Sequence, residues 1–496
     1  MNKQEIIEYY NTACQLLGKQ LTRADYRKLT PVYSSSLIEK IWGSWGDFVK
    51  EAETVLALSR TERTRQFDKG ADKIVLTYMP DGSTLDLDAF KILQSYCKEN
   101  KAKLGILWGR AIHKEDVFSM ETYDLLKDYL ATKFVFAKDS SCIAQDFLIP
   151  FTQKNPLLNL DKISTSLHTI IAGSTKQYLK IFPYKQYNTY RIGASTGTIS
   201  KIDYKMTSSG FIDVKFHTQG GLFLEWSTKE KRYIIRNLVI KDNCLYDLNK
   251  QYTPENIKTI NSVPAMVLGD LHFPEQDDDS IKKTHDQLSL LKPEHVAMGD
   301  WCSYNSINHH TMNQALTKIK NRSEKDYTLK IELENAKLQL ESLVKKHMKT
   351  MFHVVYSNHD RFLTTFLNDG LFVKDVDNAE MGCELFLKIL RNQSLLDTPL
   401  KNVHFMTEFD ELEIKGVDLS NHGHIGIAGM RGNPKTYTRI CDKAVVGHTH
   451  SPALEGSVVV VGTNSKLKLN YTSNISNWAF ANAVVHENGT IQLLLT

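Results

Sequence analysis

The second half of the chain carries five short clusters of aspartate, histidine and asparagine, residue types that ligate divalent cations. They are AMVLGDLHF with Asp270 and His272, HVAMGDW with Asp300, HVVYSNHDR with Asn358, His359 and Asp360, LSNHGH with His422 and His424, and AVVGHTH with His448 and His450. Carboxylates and imidazoles together suit Mn, Fe and Zn, and one carboxylate can bridge two ions. Two ions about 3.5–4 Å apart clamp a phosphoryl group and acidify a bound water, which makes hydroxide available near neutral pH. Hydrolysis of a phosphate ester is the chemistry this set is suited to. An amide such as Asn358 ligates weakly through its oxygen and leaves room for a substrate phosphate.

Most of these clusters directly follow an apolar, β-like run. In layered folds the carboxyl ends of strands collect on one rim, so residues far apart in sequence converge there. Between the second and third clusters a long amphipathic helix is predicted over 323–348, with a stripe of Leu329, Leu333, Ala336, Leu340 and Leu343. Ser323 and Asp326 read as its capping box. Its lysines and glutamates read as a solvated face, and the helix is expected beside the site.

The rest of the chain separates by texture. At 496 residues, two to four domains are expected. Residues 1–56 read as a small all-α domain. Ile6, Ile7, Tyr10, Cys14 and Leu17 recur at helical spacing, Thr22 and Asp25 cap a second helix, Ser34–Ser36 start a third, and Gly43–Ser44 separate it from a fourth at Trp45. Residues 57–71 are polar and basic and read as a linker. Residues 72–260 read as a mixed α/β accessory domain, with KIVLTY and LGILWG as strands around a helix from Leu87 to Tyr96. A Gly-Gly hairpin follows in FIDVKFHTQGGLFLEW. Residues 261–496 are left as the catalytic domain.

Composition excludes little. With 42% apolar and 24% charged residues the chain can build several cores, and a net charge of +4 permits a nucleic-acid partner without arguing for one. Seven scattered cysteines with no CxxC pair suit reduced thiols in a cytoplasm. The start has no basic stretch followed by an apolar run, so no signal peptide is expected, and no apolar run is long enough to span a membrane.

Taken in order, the five clusters resemble the calcineurin-like metallophosphoesterase family, whose pattern is DxH, GD, GNH(D/E), H and GHxH. The resemblance implies a two-sheet sandwich flanked by helices, an α+β or α/β fold. It also implies a ligand set: Asp270, His272, Asp300 and His450 for one metal, and Asp300, Asn358, His422 and His448 for the other. His359 is then the general acid that protonates the leaving oxygen. Two positions depart from the pattern. Ser303 stands where the family often has an aspartate that orients the acid, leaving Asp360, Ser303 or another group for that task. Ser357 stands where glycine is usual. His424 either replaces His422 or orients a ligand, with His422 favoured because the family's fourth motif is His-Gly. His295, His309, His310, His353 and His404 read as structural. Arg361 and Arg431 are candidates for substrate phosphate, with surface ion pairs as the alternative.

Within residues 1–56, LGKQLTRADYRKL and SSSLIEKIWGSWGDFVKEAE resemble the helical repeat found beside homing endonucleases, which is taken to bind DNA. Lys19, Arg23, Arg27 and Lys28, with Arg60, Arg63 and Arg65, are then phosphate contacts. Lys and Arg number 11 against 9 Asp and Glu over residues 1–70, so a docking or oligomerisation module is the competing reading. The carboxyl-terminal stretch from GHTHSPALEG resembles metallophosphoesterases encoded by large tailed phages. These resemblances imply a phage-encoded DNA nuclease in the host cytoplasm. It would use two divalent ions, first Mn, with Mg, Fe or Zn as alternatives, and would be free of the membrane; the oligomeric state stays open. A phosphatase or nucleotide phosphodiesterase acting on small or protein substrates is the alternative function, and a DNA-binding protein with a silent phosphoesterase fold is a third.

Overall fold

A computed structural model describes residues 3–17, 20–29, 31–58, 62–110, 112, 118–184, 190–205, 207–309, 314–316, 319, 327–393, 400–469 and 475–496. The N-terminal segment is helical, as its caps dictate. Helices span Lys3–Leu17, Arg23–Lys28, Ser35–Trp42 and Trp45–Leu58. Thr22 Oγ1 accepts from the Asp25 amide, Ser34 from Leu37 and Ser44 from Asp47, each satisfying an otherwise orphaned helix-start donor. Gly43 ends the third helix at φ 86°, a conformation that costs glycine little. Ile6, Tyr10, Tyr26, Ile38 and Phe48 close a small core of their own.

The remaining chain builds two large mixed sheets packed face to face. One runs through the parallel strands Val403–Phe405, Met351–Val354, His295–Met298 and Ala265–Leu268, then antiparallel through Ala481–Val485 and Ile491–Leu495. It continues through Arg232–Lys241, Gly220–Ser227, Lys73–Pro80, Lys103–Gly109 and Leu130–Ala131. The second sheet includes Tyr190–Gly197, Ser174–Pro183, Ala453–Glu455, Val458–Val460 and Ala444–Val446 in that order. Leu76, Val267 and Ala297 from the first sheet meet Ile181, Ile192, Val445 and Val459 from the second in one buried core. A mixed α+β sandwich with helices outside is therefore observed. Helices Asp278–Leu291, Leu329–Lys345 and Asn358–Asn368 cover the outer face of the first sheet through Leu288, Leu340 and Phe366.

Three expectations about boundaries are corrected. The break expected at residue 260 does not separate independent bodies, because both sheets and the core cross it: Arg236 pairs with Leu494 and Leu179 with Leu454. The expected linker 57–71 contains the strand Thr64–Phe67, paired with Lys133–Phe136. Phe67 stacks on Phe134 with ring centroids 5.0 Å apart, and this burial outweighs the polar look of the segment. The long helix begins at Leu329, capped by Thr328; Ser323 and Asp326 lie outside the described residues.

Candidate metal centre

Five strand ends and loops deliver the predicted ligands to one buried cluster. Asp270 and His272 follow the strand Ala265–Leu268, and Asp300 follows its parallel neighbour His295–Met298. Asn358 opens the helix after Met351–Val354, His422 lies on a loop, and His448 and His450 follow Ala444–Val446. Ligand atoms of Asp270, His272, Asp300 and His450 all lie within 4.8 Å of one another, and all four residues are buried. Asp300 Oδ2 is central, 3.3 Å from His272 Nε2 and 3.3 Å from His422 Nε2. On the far side, Asn358 Oδ1 lies 3.1 Å from His422 Nε2 and 2.9 Å from His448 Nδ1. His450 Nε2 approaches Asp270 Oδ2 at 3.1 Å and His272 Nε2 at 2.9 Å.

The backbone is bent to achieve this. His272, Asp300, His448 and His450 have φ of 51°, 42°, 68° and 54°, a region non-glycine residues seldom adopt. Such strain costs on the order of 1–3 kcal/mol per residue and persists where the surroundings fix it. Gly447 admits the carboxylate, since a Cβ there would stand 2.4 Å from Asp270 Oδ1.

The electrostatics fit a cation. Asp270 Oδ1, Asp300 Oδ1, His272 Nδ1 and His450 Nδ1 are buried without a hydrogen-bond partner, a costly state for polar atoms unless an ion satisfies the group. Burial opposes the charged form of Asp300, yet His422, His359 and His272 hold its carboxyl well below the usual range. Burial lowers His422, but Asp300 and Asp270 outweigh it and push the imidazole up to about 9. Burial pulls His272 well below its ordinary value and His448 down to about 4. Two carboxylates with imidazoles around them in a buried pocket are a donor set for a divalent ion, which would take the place of the proton that the carboxylates draw onto His422, and this group can hold one.

His359 sits beside the cluster, its ring centroid 4.6 Å from that of His272. Its Nδ1 lies 2.5 Å from the Ser303 carbonyl, which can only accept, so Nδ1 carries a proton. The histidine's partner is thus the backbone of Ser303; the Ser303 hydroxyl instead donates to the His272 carbonyl at 2.9 Å. Asp360, expected as a catalytic group and candidate partner of the acid, has its carboxylate engaged at the helix start: it accepts from the Ser357 amide and hydroxyl, forming a capping box, and from Trp301 Nε1. Burial, the largest influence, raises Asp360 to about 6. His422 reaches Asp300 directly, and His424 lies behind it with both ring nitrogens buried and unpartnered among the described residues. The His424 ring stands 5.5 Å from His422 and 6.1 Å from His448, and burial lowers it to about 3.

The other predicted residues stay away from the cluster's interior. Arg361 is exposed on the helix that Asn358 opens, and Arg431 is exposed on the loop after His424. Arg23 pairs with Glu39, Arg27 Nε donates to Ser35 Oγ at 2.7 Å, and Lys28 is exposed. His353 and His404 face each other across neighbouring strands, with His295 bonded to His353 at 3.1 Å. Lys19, Arg60 and His310 lie outside the described residues.

Some of the machinery has no ligand-like signature. Thr463 Oγ1 donates to the Asp270 carbonyl at 3.0 Å, and Asn464 Nδ2 to that of Gly269 at 3.0 Å; the only sequence signal is a polar GTNS directly after VVVV. Trp478 packs its ring 4.1 Å from that of His450. Glu332, read as part of a solvated face, is buried and accepts from Asn305 N, Ser306 N and Ser306 Oγ at 2.7, 3.0 and 2.6 Å. The long helix thereby anchors the loop that follows Asp300.

Comparison with known proteins gives one informative relative. Over 403 residues the chain is 26% identical to Protein A1 of Escherichia phage T5, a match covering 75% of this chain and 71% of that protein. No protein-family model matches the chain, and no solved structure matches it. No helix among the described residues is long and apolar enough to cross a membrane. The chain is thus a partial homologue of a phage protein, with a buried Asp/His group able to hold a metal ion.

Proposed function

We propose that the chain is a divalent-metal-dependent DNA nuclease of the calcineurin-like metallophosphoesterase type, acting with two ions, most simply manganese. The carrying observation is the convergence of seven ligand-type side chains on one buried cluster centred on Asp300. Asp270, His272, Asp300 and His450 would hold one ion, and Asp300, Asn358, His422 and His448 the other. Ions bound there supply positive charge for a phosphodiester and acidify a water.

The chain's own groups do the rest. The Ser303 carbonyl holds the His359 ring through Nδ1–H, leaving Nε2 to take up a proton from solvent and pass it to the departing oxygen, which would otherwise leave as an alkoxide. Asn358 opens a helix of 11 residues, so free amides and the positive end of the helix dipole favour a phosphate near the cluster. Arg361, exposed on the next turn, can pair with a neighbouring phosphate oxygen.

DNA is favoured over a small ester by the setting. A groove of about 540 Å³ beside Asp360 presents the rings of Tyr356 and Phe405 and the ammonium groups of Lys330, Lys337 and Lys388 among Glu334 and Glu384, which gives a base a surface to stack on. The capped helices of residues 3–58 add a separate module for phosphate contact, and the likeness to a phage protein supports a phage-related role. The test is to incubate purified protein and Mn with linear DNA, circular DNA and a chromogenic phosphodiester. Cleavage of DNA that EDTA abolishes is expected. Hydrolysis of the chromogenic ester with both DNAs intact would reject the nuclease reading and favour a small-substrate phosphodiesterase. Deleting residues 1–58 should weaken DNA binding and flatten its salt dependence while sparing the chromogenic ester. Unchanged affinity across salt would make that module a docking element.

A further inference from the structure

The order of strands reads the same from either end. In the first sheet, Ala265–Leu268 is parallel to His295–Met298 on one side and antiparallel to Ala481–Val485 on the other, which pairs with Ile491–Leu495. Lys73–Pro80 is likewise parallel to Lys103–Gly109 and antiparallel to Gly220–Ser227, which pairs with Arg232–Lys241. In the second sheet Ala444–Val446 is parallel to Val458–Val460, which is antiparallel to Ala453–Glu455. Thr169–Ala172, Tyr190–Gly197 and Ser174–Pro183 repeat that arrangement.

The correspondence holds atom by atom. Thr463 Oγ1 and Asn464 N donate to the Asp270 carbonyl at 3.0 and 2.8 Å; Thr198 Oγ1 and Ile199 N donate to the Tyr78 carbonyl at 2.8 and 3.1 Å. Each threonine meets a serine two residues on, Ser465 at 2.7 Å and Ser200 at 3.0 Å. Each segment then receives the cap of a 14-residue helix: Asp277 N bonds Asn464 O, and Asp86 N bonds Ile199 O. Both helices end on a left-handed lysine, Lys292 and Lys101. A Cβ on Gly447 would strike Asp270, and one on Gly173 would strike the Tyr78 ring.

These matches place Tyr78 where the other half has Asp270, and Gly-Ser-Thr-Lys at 173–176 where it has Gly-His-Thr-His at 447–450. Lys176 so takes the position of His450. It is buried, and its Nζ donates to Asp213 Oδ1, Phe151 O and Gln153 O at 2.7, 2.7 and 3.0 Å. The strand Lys103–Gly109 ends in Leu-Trp-Gly, without a carboxylate. The backbone strain is also gone: neither Ser174 nor Lys176 has a positive φ.

We propose that residues 64–247 are a second, catalytically silent copy of the unit that carries the metal cluster, filling within one chain the place of a partner subunit. The seam between the copies has the signature of a two-fold axis. Leu179 and Leu454 hold equivalent registers in their own copies and pair with each other across it. Unpaired sheet edges invite association, and each copy closes the other's edges in both sheets. Five antiparallel steps separate Ala265–Leu268 from Lys73–Pro80, so these strands run in opposite directions and the silent rim lies at the opposite end of the sandwich from the metal cluster. An ammonium held by protein oxygens supplies the silent rim with fixed positive charge in place of an ion. That last point rests on the metal-centre reading; the duplication does not.

Two experiments on the full chain decide this. The double variant Leu179→Cys/Leu454→Cys places thiols on directly opposed strand positions, within reach of a disulfide. Mild oxidation should give an intrachain bond, with the protein still migrating as a monomer under denaturing, non-reducing conditions and neither single variant forming it. A covalent dimer, or two thiols that stay free, would overturn the proposal. Crystals of the wild-type chain grown with Mn should give anomalous scattering only around Asp300, with Lys176 turned onto Asp213. Manganese at Tyr78 and Lys176 would show that the copy is not silent. Manganese at neither rim would sink the metal-centre reading, while the cross-link still judges the duplication.

Discussion

The two halves of the sandwich share a scaffold and differ at a few rim positions, and those few decide which half gathers a group able to hold a metal ion. One rim tolerates four ligands in left-handed backbone, leaves carboxylate oxygens unpaired and concentrates imidazoles in a dry pocket. The other replaces an aspartate with Tyr78, buried with its ring against Gly173, and a histidine with Lys176, whose ammonium is held by three oxygens. Strain and unsatisfied polarity are features of the site, because the same strand framework relaxes once the ligands are gone. This agrees with the general rule that proteins break local preferences at functional positions.

The largest expected effect is at Asp300. Its Oδ2 faces imidazoles on both sides, so Asp300→Asn should empty the centre and abolish activity, read by elemental analysis beside a DNA-cleavage assay. Wild-type turnover in a metal-free variant would remove the basis for calling this half the active one. Next is His359→Ala, which should retain metal and substrate affinity while losing roughly 10²–10⁴-fold in rate, the usual worth of a general acid. A nitrophenyl ester leaves without much help, so its loss should be the smaller. Equal losses on DNA and on the ester would argue against the acid role, and lost metal would make His359 a ligand.

The same substitution at matched glycines sharpens the contrast further. Gly447→Ala pushes on the Asp270 carboxylate and Gly173→Ala on the Tyr78 ring, at 2.4 and 2.5 Å from the new methyl. Overpacking costs about 1–3 kcal/mol at either position. Only Gly447→Ala should also lower metal content and rate. If Gly173→Ala reduced metal content as much, the two rims would not be independent.

What was legible beforehand follows the same divide. Asp270, His272, Asp300, Asn358, His422, His448 and His450 stand out in the sequence because they are ligand-type side chains in short clusters, most of them just after apolar runs, and the structure brings them together. The helix caps at Thr22, Ser34 and Ser44 were readable because capping is local. The silent half was not, since Tyr78 and Lys176 belong to no motif, and the relation shows only in three dimensions, in the strand order and in the shared hydrogen bonds of Thr198 and Thr463. The seam at Leu179 and Leu454 was hidden for another reason: long-range strand pairing leaves no local pattern, so a domain break was expected where both sheets continue. Glu332 was misread because a carboxylate on a helix is normally solvated, and only the tertiary fold brings it to the Ser306 amide.

The smallest expected effect concerns the seam and pH. His486, in the loop after Ala481–Val485, stacks on Tyr246 from the other half with ring centroids 5.2 Å apart. It is buried, and burial lowers it to about 4. An unfolded histidine titrates near 6.5, so below that pH the unfolded chain binds a proton that the folded chain refuses. The stability from keeping His486 neutral is complete above about pH 6.5 and is lost as pH falls toward 4, with a ceiling on the order of 3 kcal/mol. His217 in the silent half, also lowered to about 4 by burial, adds a similar slope. Urea unfolding with EDTA present, followed by fluorescence at pH 7.5, 5.5 and 4.5, should show this decline. His486→Phe keeps a ring against Tyr246 and removes the titration, so its stability should fall less steeply over the same range. If the variant and the wild type decline in parallel, the seam does not contribute to acid sensitivity, and the slope belongs to the metal cluster and to histidines elsewhere.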